Sequence, residues 1–215
     1  MRIAILTSAR SGSTSLYHLI EAHLNKKNYI CISEPFNNYW RDKINKPTYD
    51  LDFFENKQNI FIKTFVSKTQ KPKSLLDNEN DYWIWFFDYF EKIILLDRID
   101  KDLQSESLAY HMKQNDILSW QKKQFYDLSI TTSDEIENTK NVLITESTMM
   151  HQFSTKGYPL YYFEDIFIKK DKGKIIDMFE YLDIDLNDLF YNDYVYSDLY
   201  KIRLNDGETK FKGLI

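Results

Sequence analysis

The run Ile3-Ala4-Ile5-Leu6, Thr7-Ser8-Ala9-Arg10-Ser11-Gly12-Ser13-Thr14, Ser15-Leu16-Tyr17-His18-Leu19-Ile20 decides the fold. Its first four residues have the apolar continuity of a buried strand, while Leu16, Leu19, Ile20 and Leu24 recur at the spacing of one helical face. Between strand and helix lies a tight loop of small residues with one arginine and one glycine. A loop so placed faces the free N–H groups of the helix's first turn, and those groups, with the helix dipole behind them, favour an anion. Gly12 lets the backbone approach closely, the hydroxyls of Ser11, Ser13 and Thr14 can donate to oxygens, and Arg10 adds a fixed positive charge. The stretch reads as a phosphate cradle. On its own it also fits an ordinary strand-to-helix turn in which Ser13 or Thr14 caps the helix.

Outward from this loop, the totals set bounds. A chain of 215 residues with 43% hydrophobic content suits one domain with a sizeable core, and residues 1–215 are read as that domain. Five glycines and four prolines oppose low complexity. A net charge of −5 argues against a nucleic-acid partner, which needs an excess of Lys and Arg, yet permits a local basic pocket. With one cysteine, Cys31, there is no internal disulfide and no cysteine-based zinc cluster. No metal site is expected, since no two histidines have zinc-ligand spacing with a partner carboxylate. No signal peptide and no membrane-spanning run are visible, so a cytoplasmic location is expected.

Further strands are expected near residues 29–32, 60–65, 92–97 and 159–163. The second ends in Ser33-Glu34-Pro35, where proline turns the chain out of the sheet. A carboxylate at a strand's C-terminal end stands where open α/β sheets collect ligands, so Glu34 is either a chemical group or a turn cap and ion-pair partner. Lys63 interrupts the apolar third strand, as a basic site residue or as a lysine on a solvent face. Asp81 to Phe90 packs seven aromatics and an isoleucine, read as a core helix rather than a base-stacking platform. Glu91 to Arg98 is a buried strand ending in arginine, followed by a helix that Asp100 can cap and that presents Ser107. A guanidinium and a hydroxyl at one end of the sheet make a clamp for a second phosphate. Asn141 to Phe153 reads as either helix or strand.

The loop is not the Gly-x-x-x-x-Gly-Lys-Ser/Thr cradle of ATP- and GTP-binding enzymes. Arg10-Ser11-Gly12-Ser13-Thr14 instead resembles the phosphosulfate-binding loop of sulfotransferases. The run Arg98, Asp100-Lys101, Gln104, Ser107-Leu108 resembles their 3′-phosphate motif and is closest to bacterial enzymes that sulfate trehalose and related sugars. It departs in Ile99, where a second arginine is usual, and in an Arg98–Ser107 spacing slightly longer than is common; Ser105 is the fallback hydroxyl. Glu34-Pro35 resembles the family's acidic motif, and Lys63 its basic residue near the transferred group. Leu160 to Ile166 resembles a Tyr-Glu-Asp-Leu element in which the acids are structural, and Lys212-Gly213 a loop closing over the 3′-phosphate.

The resemblance implies a P-loop-like, three-layer α/β fold with a mostly parallel sheet. It implies transfer of a sulfuryl group from 3′-phosphoadenosine 5′-phosphosulfate (PAPS) to an acceptor hydroxyl on a carbohydrate or other small molecule, without a metal. Glu34 would be the base and Lys63 a catalytic cation. Arg10, Ser11, Gly12, Ser13, Thr14, Arg98, Ser107, Lys212 and Gly213 would bind the donor. A nucleotide kinase and a non-catalytic nucleotide-binding module are the rival readings.

Overall fold

The computed structural model describes residues 1–37, 49–67, 71–72, 74, 79–114 and 131–184. Lys212 and Gly213 lie outside the described residues. Five strands form one sheet: β1 (Arg2–Thr7), β2 (Ile30–Ser33), β3 (Ile60–Phe65), β4 (Lys92–Asp97) and β5 (Leu160–Tyr162). Their order is β2-β3-β1-β4-β5, and every pairing is parallel. Helices α1 (Ser13–Leu24), α2 (Leu51–Phe54), α3 (Glu79–Tyr89), α4 (Lys101–Gln114) and α5 (Ser133–Ser154) lie in the connections, and α6 (Lys172–Tyr181) follows β5. From the central β1 the chain passes to the edge strand β2, returns inward to β3 between them, then crosses β1 to build β4 and β5 on the other side. The loop after β1 therefore opens at the switch point of the sheet, where parallel α/β folds bind ligands.

The strands alternate between two cores, as the period of two requires. Ile3, Ile5, Phe61, Ile94 and Leu96 face one side, covered by Leu16, Tyr17 and Ile20 of α1 and by Ile175, Met178 and Phe179 of α6. Ala4, Leu6, Ile60, Ile62, Ile93 and Leu95 face the other, covered by Tyr82, Trp83 and Phe86 of α3 and by Met150 and Phe153 of α5. Full burial of each large side chain contributes roughly 1.5–3 kcal/mol, so the interleaved apolar runs fix the register. The aromatic run of α3 is core, as its sequence indicates: Tyr82 and Phe86 are fully buried, and Trp85 stacks on Tyr89.

Two local readings are settled by the geometry. Residues 141–153 are helical, within α5, whose start is fixed by a reciprocal Thr132–Glu135 capping box. The strand expected near residues 159–163 ends at Tyr162, and the chain enters a π-helical turn, Glu164–Ile168. That turn carries the Glu164 carboxylate to the backbone N–H groups of Ile99 and Asp100, at 2.9 and 3.1 Å. Glu164 thus serves structure, satisfying donors ahead of α4.

Candidate anion-binding site at the C-terminal edge of the sheet

The parallel register brings four strand ends to one edge. Ser33 lies beside Lys63, Phe65 beside Thr7, and Thr7 beside Leu96. Glu34, Lys63, the loop 8–12 and Arg98 consequently project from neighbouring strands. The loop owes its shape to two left-handed residues, Arg10 (φ 59°) and Gly12 (φ 79°). Gly12 occupies the N-cap position of α1, and no side chain caps the helix there. Neither Ser13 nor Thr14 is the cap; both lie inside the first turn. The close approach that Gly12 permits is to protein: a Cβ at this position would lie 2.8 Å from the Phe163 ring and 2.9 Å from that of Phe167.

Each hydroxyl of the loop has its own place. Ser11 is fully buried, and its Oγ is hydrogen-bonded to Thr7 Oγ1, so it braces the loop from beneath. Thr14 is exposed, and Lys63 Nζ donates to its Oγ1 at 3.3 Å. Ser8 Oγ donates to Asp97 Oδ1 at 2.9 Å. Gln104, fully buried on α4, donates from Nε2 to Ser8 Oγ at 2.9 Å and to the Ala9 carbonyl at 2.6 Å. The first half of the loop is thus clamped to β4 and α4.

Arg10 Nε donates to Ser107 Oγ at 3.0 Å, which ties the loop after β1 to the first turns of α4. Ser105 turns away and donates to the Asp102 carbonyl of its own helix at 2.8 Å. Ser107, not Ser105, faces the loop. Asp100 caps α4 as anticipated, accepting from Leu103 N at 2.9 Å. Arg98 follows β4, almost wholly buried, with its guanidinium 4.8 Å from the Phe163 ring centre and Nε 3.7 Å from Glu164 Oε1. Burial pushes the Arg98 guanidinium below its ordinary pKa; Glu164 and Asp100 oppose this, while the charge of Arg10 adds to it. Two guanidiniums that repel one another at the mouth of a sheet are relieved by a bound anion.

On the other flank, Lys63 is 0% exposed and donates to Glu34 Oε1 at 2.6 Å. It does not stand on a solvent face. Glu34, left-handed at φ 56°, receives a second bond at Oε2 from Asn37 Nδ2 at 2.7 Å. The carboxylate is an ion-pair partner, and the ammonium lies between it and the first turn of α1.

Two residues of this region escaped sequence reasoning. His111 is one helical turn beyond Ser107 on the same face of α4. Burial holds its imidazole below the ordinary histidine pKa; the charge of Arg10 acts the same way, and that of Glu34 opposes. Its spacing from Ser107 was the available signal. Glu146 is buried in α5 and accepts from the Ala9 backbone N–H. It lies on the seam Thr139, Leu143, Glu146, Met150, Phe153, whose spacing of three and four would have revealed it had this stretch been read as helix.

Comparison with known protein families finds no family model that matches the chain, and comparison with curated proteins finds no match. Among the described residues, no helix is long and apolar enough to cross a membrane.

Proposed function

We propose that the protein transfers a sulfuryl group from PAPS to an acceptor hydroxyl of a carbohydrate or other small molecule. The observation that carries this reading is the 3.0 Å bond from Arg10 to Ser107, which brings the two strand-to-helix junctions into contact. The amides of the α1 first turn with Arg10 would hold the 5′-phosphosulfate, and Arg98 with Ser107 the 3′-phosphate. Remote binding energy at the 3′ end then orients the sulfuryl group for attack.

In this reading Glu34 accepts the acceptor's hydroxyl proton as that oxygen bonds to sulfur. The sulfur–oxygen bond to the 5′-phosphate breaks, and 3′-phosphoadenosine 5′-phosphate departs with the bridging oxygen. Lys63 stands between Glu34 and Thr14, at 2.6 and 3.3 Å. A shift of its ammonium toward the leaving oxygen stabilises the charge that develops there and releases a lone pair on Glu34 for the proton. Ser11, buried against Thr7, supports the loop rather than the ligand.

Incubation with radiolabelled PAPS and a panel of carbohydrate, lipid and phenolic acceptors tests the reading. Transfer of label to a hydroxyl product supports it. Binding of the nucleotide without transfer to any acceptor class supports a binding module instead, and phosphoryl transfer from ATP supports a kinase.

A further inference from the structure

Against Ser8 and Ala9 of the loop lies a buried polar cluster to which the proposed chemistry gives no role. Asp97, at the end of β4, is 1% exposed and accepts from Ser8 Oγ at 2.9 Å, from Lys101 Nζ at 2.7 Å and from Ser147 Oγ. Lys101 also donates to Gln104 Oε1 at 3.0 Å. Glu146 joins from α5, 7% exposed, accepting from Ala9 N–H, and its Oε2 is buried with no hydrogen-bond partner among the described residues. The cluster thus holds two carboxyl groups and one ammonium, and Asp97 takes the ammonium. Among the described residues a charge on Glu146 has no ion-pair partner, and it stands against the Ala9 backbone of the loop.

We propose that Glu146 is a positioning residue for the anion loop, whose protonation sets the loop's affinity for its ligand. Neutral Glu146 keeps the Ala9 N–H engaged and leaves the field of the cradle positive. Ionised Glu146 places a negative charge behind Ala9 and weakens anion binding. The groups that act on it are Ala9 of the loop, Asp97 of β4 and Lys101 of α4. Burial is the largest influence; with the Asp97 charge it outweighs the Ala9 bond and Lys101 and raises the carboxyl to about 7. The proton exchanges with water, and no other reactant is needed. The inference rests on reading the loop as an anion cradle.

Two measurements on the full chain test it. The first needs no ligand: the Ala9 amide resonance is followed by NMR from pH 5.5 to 8.5 in the wild type and in Glu146→Gln, which keeps an acceptor for Ala9. The wild-type resonance is expected to titrate near neutrality and the variant's to stay flat. A flat wild-type curve, or one unchanged by the substitution, overturns the proposal. The second is titration with 3′-phosphoadenosine 5′-phosphate at pH 6 and pH 8, each affinity divided by that of the variant so that the ligand's own ionisation cancels. The ratio is expected near unity at pH 6 and about tenfold lower at pH 8, as one uncompensated charge at this range implies. An equal ratio at both pH values, with the nucleotide bound, overturns the coupling alone. Absence of nucleotide binding at either pH overturns the cradle and the gating of its affinity together, even if Ala9 titrates.

Discussion

Lys63 Nζ lies 2.6 Å from Glu34 Oε1, in an ion pair whose lysine is wholly buried and whose glutamate is 12% exposed. Such a pair is costly to break from one side, because the remaining charge stays out of water without a partner. Glu34→Gln and Lys63→Met are each expected to lower unfolding free energy by about 3 kcal/mol, and the double variant by less than the sum. Urea unfolding of the three proteins checks this. Additive effects would mean the pair is not coupled. Any loss of turnover in Glu34→Gln must accordingly be read on the folded fraction.

Gly12→Ala is expected to cost about 1–3 kcal/mol from its left-handed backbone, and more from contact with Phe163 at 2.8 Å. Combining it with Phe163→Leu relieves the Phe163 contact and leaves the backbone strain and the contact with Phe167 at 2.9 Å. The double variant should be less destabilised than the two single effects summed. Thermal unfolding midpoints measure the difference.

Ser107 and Ser105 are separated by their bonds rather than by their motif spacing. Ser107→Ala removes the acceptor of Arg10 and is expected to weaken binding of 3′-phosphoadenosine 5′-phosphate by about tenfold. Ser105→Ala, whose hydroxyl serves its own helix, should leave that affinity unchanged. The reverse order in calorimetric titration would reassign the second pocket.

Stability should respond in opposite directions to two titratable groups that burial shifts, the part-buried His111 and the buried Glu146. The folded pKa of His111 lies below its unfolded value of about 6.5, so its contribution is intact above that pH and lost on acidification through the folded value. Glu146 is raised from 4.5 to about 7, so its contribution is full below 4.5 and lost as pH rises to about 7. His111→Asn should flatten the acid side of the stability curve, and Glu146→Gln the limb between 4.5 and 7. Unfolding free energies across pH 4 to 8 test each sign.

The strands were legible because each is a short apolar run bounded by loop residues, and β1, β3 and β4 fall where those runs do. The strand-to-helix junctions at Arg10 and Arg98 were legible for the same reason, since a change of hydrophobic period marks them. What the chain order could not disclose were contacts across the sheet edge. Lys63 interrupts an apolar strand, and sequence leaves open whether it faces water; only the parallel register beside Ser33 puts Glu34 within its reach. Sequence alone does not distinguish Ser11 from the hydroxyls that could reach a ligand, yet the loop turns it inward to Thr7. Glu146 was hidden because its helix was read as either helix or strand, and its burial becomes visible only with the helical period.

The claim on which the account turns is that the Arg10 and Arg98 pockets span one nucleotide with phosphates at both ends. Calorimetric titration with 3′-phosphoadenosine 5′-phosphate, AMP and ATP tests it most directly. The bisphosphate is expected to bind on the order of a hundredfold more tightly than AMP, the worth of a charge-assisted clamp on the 3′-phosphate. ATP should bind no better than AMP. Equal affinity for AMP and the bisphosphate, or a preference for ATP, would contradict the account.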